Sequence, residues 1–238
     1  MGHNSACRTA AVSRFGELVR EAGAEIAASI EMNGAAGALP GWSSTNEYQD
    51  AVSLHVAPGW TVLKHGGGNI CCNGARGLAV ALAEPPRLVA GCPLLCLLAV
   101  HPGHTPIASA TGTGKDIVLG VCGDAAERCS IAIGDWNVDA AGVAGGEFSS
   151  FSRLTGGQPT LVAPNSLTCC HPSTCCLYDH LATNIVGAKL LSTRIWEYQL
   201  TDQFAMKEQH MPIAVTIAVP GSASADEEEG NSTNRAFS

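Results

Sequence analysis

Six polar residues stand at or next to the ends of short apolar runs in this sequence, and their types suit metal-assisted hydrolysis. Glu31 follows AEIAASI, His101 follows PLLCLLAV, and Asp135 and Asn137 follow SIAIG. Asp179 opens the last part of LYDHLATN, and His210 precedes MPIAVTIAV. Carboxylate and amide oxygens are hard donors that favour Mg²⁺ or Mn²⁺. A histidine held by an aspartate can carry a proton near neutral pH. Three carboxylates, one amide and two imidazoles at strand ends are therefore the donor set of a divalent-metal hydrolase.

The elements that must position these residues follow from periodicity. Ala11, Phe15, Leu18 and Val19 fall at helical spacing and Gly23 stops the pattern, which predicts a helix over 8–22. AEIAASI predicts a buried strand over 24–30, and the Gly-, Ser- and Asn-rich stretch 33–53 predicts a loop followed by a weak helix. WTVLKH alternates like a strand, and Gly66-Gly67-Gly68 predicts a turn after it. RGLAVALA and PLLCLLAV predict two strands joined at Pro85-Pro86, and a glycine-interrupted stretch predicts a helix over 116–121. A strand over 130–133 is expected to enter a tight turn at Gly134, which would present Asp135 and Asn137. Asp179 is expected inside a short strand, and a last strand spans 211–219. No internal repeat is evident. Strands ending in polar residues, with few helices, predict a layered α/β architecture whose site lies at one sheet edge.

Composition bounds the reading. The chain has 238 residues, 46% apolar and 14% charged, with a mean hydropathy of +0.15, which excludes a wholly disordered protein. A formal charge of −8 argues against a generally basic nucleic-acid coat and leaves a polyanion to be handled by a local site or a metal. Residues 1–220 are expected to form one domain, and the small, polar, acidic stretch 221–238 a disordered tail. The apolar run from Leu88 to Val100 is broken by Gly91 and Pro93, so no membrane span is expected. The N-terminus has no secretory pattern. A soluble intracellular monomer is the expectation.

Eleven cysteines, three sets of them adjacent at Cys71-Cys72, Cys169-Cys170 and Cys175-Cys176, show no framework spacing and are read as reduced. CCHPSTCC (169–176) has thiols and His171 capable of binding zinc, but neighbouring cysteines cannot easily face one ion. A loop of reduced thiols is the expectation there. The basic residues are scattered, and Arg76, ahead of an apolar strand, is the best candidate for a phosphate contact.

GDWN at Gly134–Asn137 resembles the GD(F/W)N motif of the endonuclease/exonuclease/phosphatase superfamily, and the order of elements from Asn4 to Val219 is similar to that family's. The resemblance implies a DNase I-like fold: a four-layer α/β sandwich of two packed mixed β-sheets flanked by helices. Almost no chain precedes Asn4, which would stand for the family's N-terminal Asn, so the sandwich is expected to be short of its first strand. It further implies Glu31 as the metal ligand, with Asn4 and Gln209 as further donors, and Mg²⁺ or Mn²⁺ as the cofactor. Asp135 would act on the attacking water, Asn137, His101 and Arg76 would contact the substrate phosphate, and Asp179 would orient His210. The family closes on Ser-Asp-His where this chain has Glu208-Gln209-His210, an amide in place of a carboxylate. The ordinary readings stay beside these: GDWN as a strand-turn, Glu31 as a solvated acid, and His101 as a loop histidine with His104 as its alternative. The implied function is a metal-dependent phosphodiester hydrolase, a DNA endonuclease of retroelement type acting by in-line water attack. The alternatives are a phosphatase on small phosphoesters or phosphoinositides, and an inactive copy used as a binding module.

Overall fold

Strands buried on both faces need no polar alternation, and the near-continuous apolar runs at 77–84 and 95–101 accordingly lie at the centre of the molecule. The computed structural model describes residues 3–30, 32, 35–47, 52–70, 77–101, 111–136, 149–164, 169–171, 174–176, 178–196, 209–210, 212–221 and 234–237. The central sheet has six strands in the order β4-β5-β6-β7-β11-β8. They are β4 (Thr61–Asn69), β5 (Gly77–Glu84), β6 (Leu95–His101), β7 (Ser130–Asp135), β8 (Leu161–Ala163) and β11 (Asp179–Thr183). β6 and β7 run parallel and the other neighbours antiparallel. A small sheet, β1-β3-β2, holds β1 (Ile26–Ile30), β2 (Ser43–Glu47) and β3 (Val52–Val56). Another, β12-β14-β15, holds β12 (Lys189–Ile195), β14 (Ile213–Pro220) and β15 (Asn234–Phe237). A third, β10-β9-β13, joins β9 (Cys169–His171), β10 (Thr174–Cys176) and β13 (Gln209–His210).

Alternation along β5 shows how the layers stack. Ala79, Ala81 and Ala83 face a core shared with Leu54 of β3 and Ile217 of β14. Leu78 and Val80 face a second core with Val118 of α2 (Thr111–Cys122) and with Phe151 and Leu154 of α4 (Ser149–Thr155). Outside the small sheet, Val19 of α1 (His3–Ala22) packs on Ala27 and Leu39. Helix, sheets, sheet and helices make the expected four layers. No helix among the described residues is long and apolar enough to cross a membrane.

Several local expectations are corrected. The stretch 33–53, read as loop and weak helix, contains β2 and the first two residues of β3. All five residues of β3 are buried because one face meets the core and the other meets α1, a double burial that its Ser and His content hides. Gly66–Gly68 do not turn but continue β4 opposite Val80, Ala79 and Leu78. A Cβ at Gly66 would come within 2.9 Å of Val121, so these glycines let α2 lie close on the strand. Within CCHPSTCC, β9 and β10 pair antiparallel, with Cys170 opposite Cys175 and Cys169 opposite Cys176. In the acidic tail, 222–233 lies outside the described residues, while β15 pairs with β14.

The cysteines also differ from expectation. Cys92 bonds Cys129 and Cys96 bonds Cys122, each pair with Cα atoms 5.6 Å apart. None belongs to an adjacent set. The pairing depends on where the start of β6 meets the end of α2 and α3 (Ala125–Arg128), which spacing alone does not reveal. Alkylation of unreduced, denatured protein should spare Cys92, Cys96, Cys122 and Cys129. Each bond closes a loop of 37 or 26 residues, so Cys96→Ala and Cys92→Ala should each cost about 3.5 kcal/mol in urea unfolding. Labelling at all four positions without reductant would contradict the pairing.

His55 on β3 is fully buried, its Nε2 2.9 Å from Ser29 Oγ and its Nδ1 2.7 Å from Ser44 Oγ. The Phe15 ring lies against it. Two hydroxyls bring no charge to offset desolvation, and burial lowers its pKa to about 4 from 6.5. Below pH 6.5 the unfolded chain takes a proton that the folded chain refuses until about pH 4. Stability should therefore fall across that window, by about 3 kcal/mol at its acid end. His55→Gln should flatten this part of the urea-midpoint profile, and identical slopes for the two proteins would refute the assignment.

Candidate functional site

The two parallel strands β6 and β7 end together, and each ends on a polar residue. Val100 is in register with Gly134, so the next residues, His101 and Asp135, emerge side by side. His101 Nε2 lies 3.4 Å from Asp135 Oδ2, with the side chains only 3% and 8% exposed. The approach is close because position 134 is glycine. A Cβ there would overlap the Val100 carbonyl oxygen. The expected turn at Gly134 is thus a correction: the residue stays inside β7, and its lack of a side chain serves packing between strands.

Asp179, half-buried, starts β11 directly opposite Asp135. The pairing is pinned near the site by Trp136, whose backbone N–H donates to the Tyr178 carbonyl at 2.7 Å and whose Nε1–H donates to the His180 carbonyl at 3.1 Å. Trp136 is 1% exposed and packs with Phe151 and Leu154, so the Trp of GDWN is a buried support beneath the site. At the far end, Thr183 Oγ1–H donates to the Ser130 carbonyl and Asn184 Oδ1 accepts from the Ser130 N–H, both at 2.7 Å. Nothing in the sequence marked Thr183 and Asn184 beyond their place at the end of LYDHLATN. His55 was missed as well, because no element was expected over 54–59.

A cleft opens between this sheet end and β1. Asp135, Asp179, Ile30 and Met32 line it. The last two flank Glu31 in the sequence; Glu31 itself lies outside the described residues. Asn137, Arg76 and the alternative His104 also lie outside them. Arg76 directly precedes Gly77, whose register partner is His101. Gln209 and His210 form β13, opposite Cys170 and Cys169, with only their backbone described. Pro212, two residues on from His210, lines the cleft. Asn4 falls in the first turns of α1, not on a strand, which removes it from the position that the resemblance requires. His101, expected at the phosphate, is instead packed away from solvent against Asp135.

The electrostatic character of this end is acidic. Two carboxylates facing each other across adjacent strands, with a third next to Ile30 in the chain, offer oxygen donors rather than thiols or imidazoles. That chemistry suits a hard divalent cation. Among the described residues no group of three or more His, Cys, Asp or Glu is arranged to hold a metal.

No protein-family model matches the sequence, and no curated protein does. Solved structures do match. A D. rerio TDP2 complexed with single-strand DNA product is 14% identical, covering 87% of this chain and 92% of that one, with a TM-score of 0.57. The Bacteroides thetaiotaomicron mannosyl-6-phosphatase Bt3783 is 11% identical over 91% of this chain and 95% of that one, TM-score 0.59. An endonuclease/exonuclease/phosphatase protein from Bacteroides vulgatus is 11% identical over 87% and 90%, TM-score 0.55. The chain thus has the four-layer fold of the endonuclease/exonuclease/phosphatase proteins.

Gly134→Ala tests the placement of His101 beside Asp135. The added methyl must push β7 from β6, and overpacking of this kind should cost about 3 kcal/mol. Urea unfolding measures it, and a cost below about 0.5 kcal/mol would show that the strands are not held this closely.

Proposed function

We propose that this chain is a divalent-metal-dependent phosphodiester hydrolase and that its substrate is DNA, cut internally by in-line attack of water. One observation carries the reading: Asp135 and Asp179 share a cleft with Ile30 and Met32, the residues on either side of Glu31. The shared fold supports it, and the similar TDP2 structure holds a single-strand DNA product.

Glu31 would be the principal ligand, with Gln209 as a neutral and weaker donor. Bound there, Mg²⁺ or Mn²⁺ supplies neutralisation of the charge that gathers on the phosphoryl oxygens. The remaining steps belong to side chains. Asp135 accepts a proton from the attacking water as its oxygen bonds to phosphorus. His101, buried against that carboxylate, fixes its orientation and is a positioning residue. Asn137 donates to a non-bridging oxygen, where charge grows in the transition state. As the P–O bond to the leaving group breaks, His210, oriented by Asp179, delivers a proton to the departing oxygen. Arg76, whose role comes from the sequence alone, would contact the flanking backbone phosphate. The acidic chain has no general attraction for DNA, so binding should rest on this local set and weaken with salt.

Supercoiled plasmid with Mg²⁺ or Mn²⁺ is the direct assay. Nicking should appear, vanish with EDTA, and fall at least about 100-fold in Asp135→Asn and His210→Ala, with both variants keeping the wild-type far-UV spectrum. Gln209→Asp should raise the rate by strengthening the metal shell. Hydrolysis of p-nitrophenyl phosphate without nicking would replace DNA by small phosphomonoesters. Failure to cleave plasmid, bis(p-nitrophenyl) phosphate or p-nitrophenyl phosphate with either ion would leave the fold as a binding module.

A further inference from the structure

The sheet β10-β9-β13 brings little apolar material of its own. Its strands read Thr-Cys-Cys, Cys-Cys-His and Gln-His. None of these residues is Leu, Ile, Val, Met, Phe, Tyr or Trp. A three-stranded sheet ordinarily needs a hydrophobic face or a helix packed on it, so another source of cohesion is called for, and the residue types suggest which.

Register decides what shares a face. β9 lies between β10 and β13. Cys169 is opposite Cys176 on one side and His210 on the other. Residues directly opposite on antiparallel strands share a face, with Cβ atoms about 5 Å apart. Cys176, Cys169 and His210 therefore form one row across the sheet. Cys170 is opposite Cys175 and Gln209, and because successive residues of a strand alternate, that row lies on the other face. His171, two residues along from Cys169, returns to the first face, opposite Thr174. Each adjacent pair of cysteines is thus split between the two faces. The difficulty of aiming neighbouring cysteines at one ion disappears, because one cysteine from each pair suffices.

We propose that Cys169, Cys176, His171 and His210 form a zinc site on this face. Two thiolates and two imidazoles are a donor set of tetrahedral structural zinc, whereas Mg²⁺ and Mn²⁺ prefer oxygen. The four positions follow from backbone register and stand apart from the groups among which no metal arrangement occurs. The thiols release their protons to solvent as the ion binds. A disulfide between Cys169 and Cys176 would use two of the four residues and leave both histidines without a part. The ion uses all four and ties β13 to β9 and β10, which supplies the cohesion that the residue types lack. The site stands without the hydrolase reading but bears on it. His210 cannot hold zinc and deliver a proton at once, so on that reading the zinc-loaded chain is the inactive form.

The test uses the whole chain, kept anaerobic and freed of metal by a chelator without denaturant. One equivalent of Co²⁺ should give the intense visible bands of a tetrahedral ion and a near-ultraviolet thiolate charge-transfer band, and one equivalent of Zn²⁺ should bleach both. Cys169→Ser and Cys176→Ser should each weaken Zn²⁺ binding at least about 100-fold, and His171→Ala and His210→Ala at least about tenfold. Cys170→Ser and Cys175→Ser, on the other face, should bind as the wild type does. Urea midpoints of the metal-free variants that match the wild type keep misfolding out of the comparison. Equal losses at Cys170 or Cys175 would overturn the face assignment. An octahedral Co²⁺ spectrum, or Zn²⁺ binding unchanged by Cys169→Ser and Cys176→Ser, would overturn the site. A Cys169–Cys176 disulfide in the anaerobic protein would replace the ion by a cross-link. Zinc bound in this pattern by a chain that cleaves no phosphoester would support the site and remove only the hydrolase reading.

Discussion

The close parallel approach of β6 to β7 is the constraint on which the candidate site rests. A glycine at 134 allows it, because any side chain would strike the Val100 carbonyl. It brings the imidazole of His101 and the carboxylate of Asp135 to the same end of the sheet. Everything else there refers to that pair of strand ends. β11 is clamped to β7 by Trp136 at one end and by Thr183 and Asn184 at the other, so Asp179 cannot slide out of register with Asp135. A slip of one residue would turn Asp179 to the opposite face and remove it from the cleft.

The sequence was most legible where one physical signal dominated. Continuous apolar runs gave β5 and β6, the helical stripe through Phe15, Leu18 and Val19 gave α1, and polar residues closing apolar runs marked His101 and Asp135. The misreadings share a cause. Gly66–Gly68 and Gly134 were taken for turns because glycine's usual local signal is conformational, yet here it provides room for α2 and for β6. β3 went unrecognised because Ser53 and His55 look polar, yet both are buried, and the His55 ring is bonded by Ser29 and Ser44. The disulfides depended on helix–strand proximity that no spacing encodes. Tertiary packing decided each of these, and a single sequence shows packing only indirectly.

His101 and His55 show how environment divides one residue type into two roles. Both are buried. His55 bridges two neutral hydroxyls, so desolvation acts alone and holds the ring neutral, a form suited to tying β1, β2 and β3 together. His101 faces a carboxylate, so either ring state finds a partner there: a neutral ring can donate to Asp135, and a charged one can pair with it. Of the two, only the second environment can couple to proton movement at the cleft. Buried histidine is therefore no guide to chemistry until its neighbours are known.

The acidic balance of the chain bears on the same cleft. A nucleic acid approaching a protein of charge −8 meets overall repulsion, and two of the acids face the proposed path of the phosphate. Hard cations reverse that sign locally, because a doubly charged ion between carboxylates presents positive charge to an incoming phosphoryl group. On the proposed reading, substrate binding would be conditional on the metal. A basic surface would bind a polyanion everywhere and leave selection to chemistry, whereas an acidic chain with one metal-loaded cleft would bind it only where hydrolysis occurs.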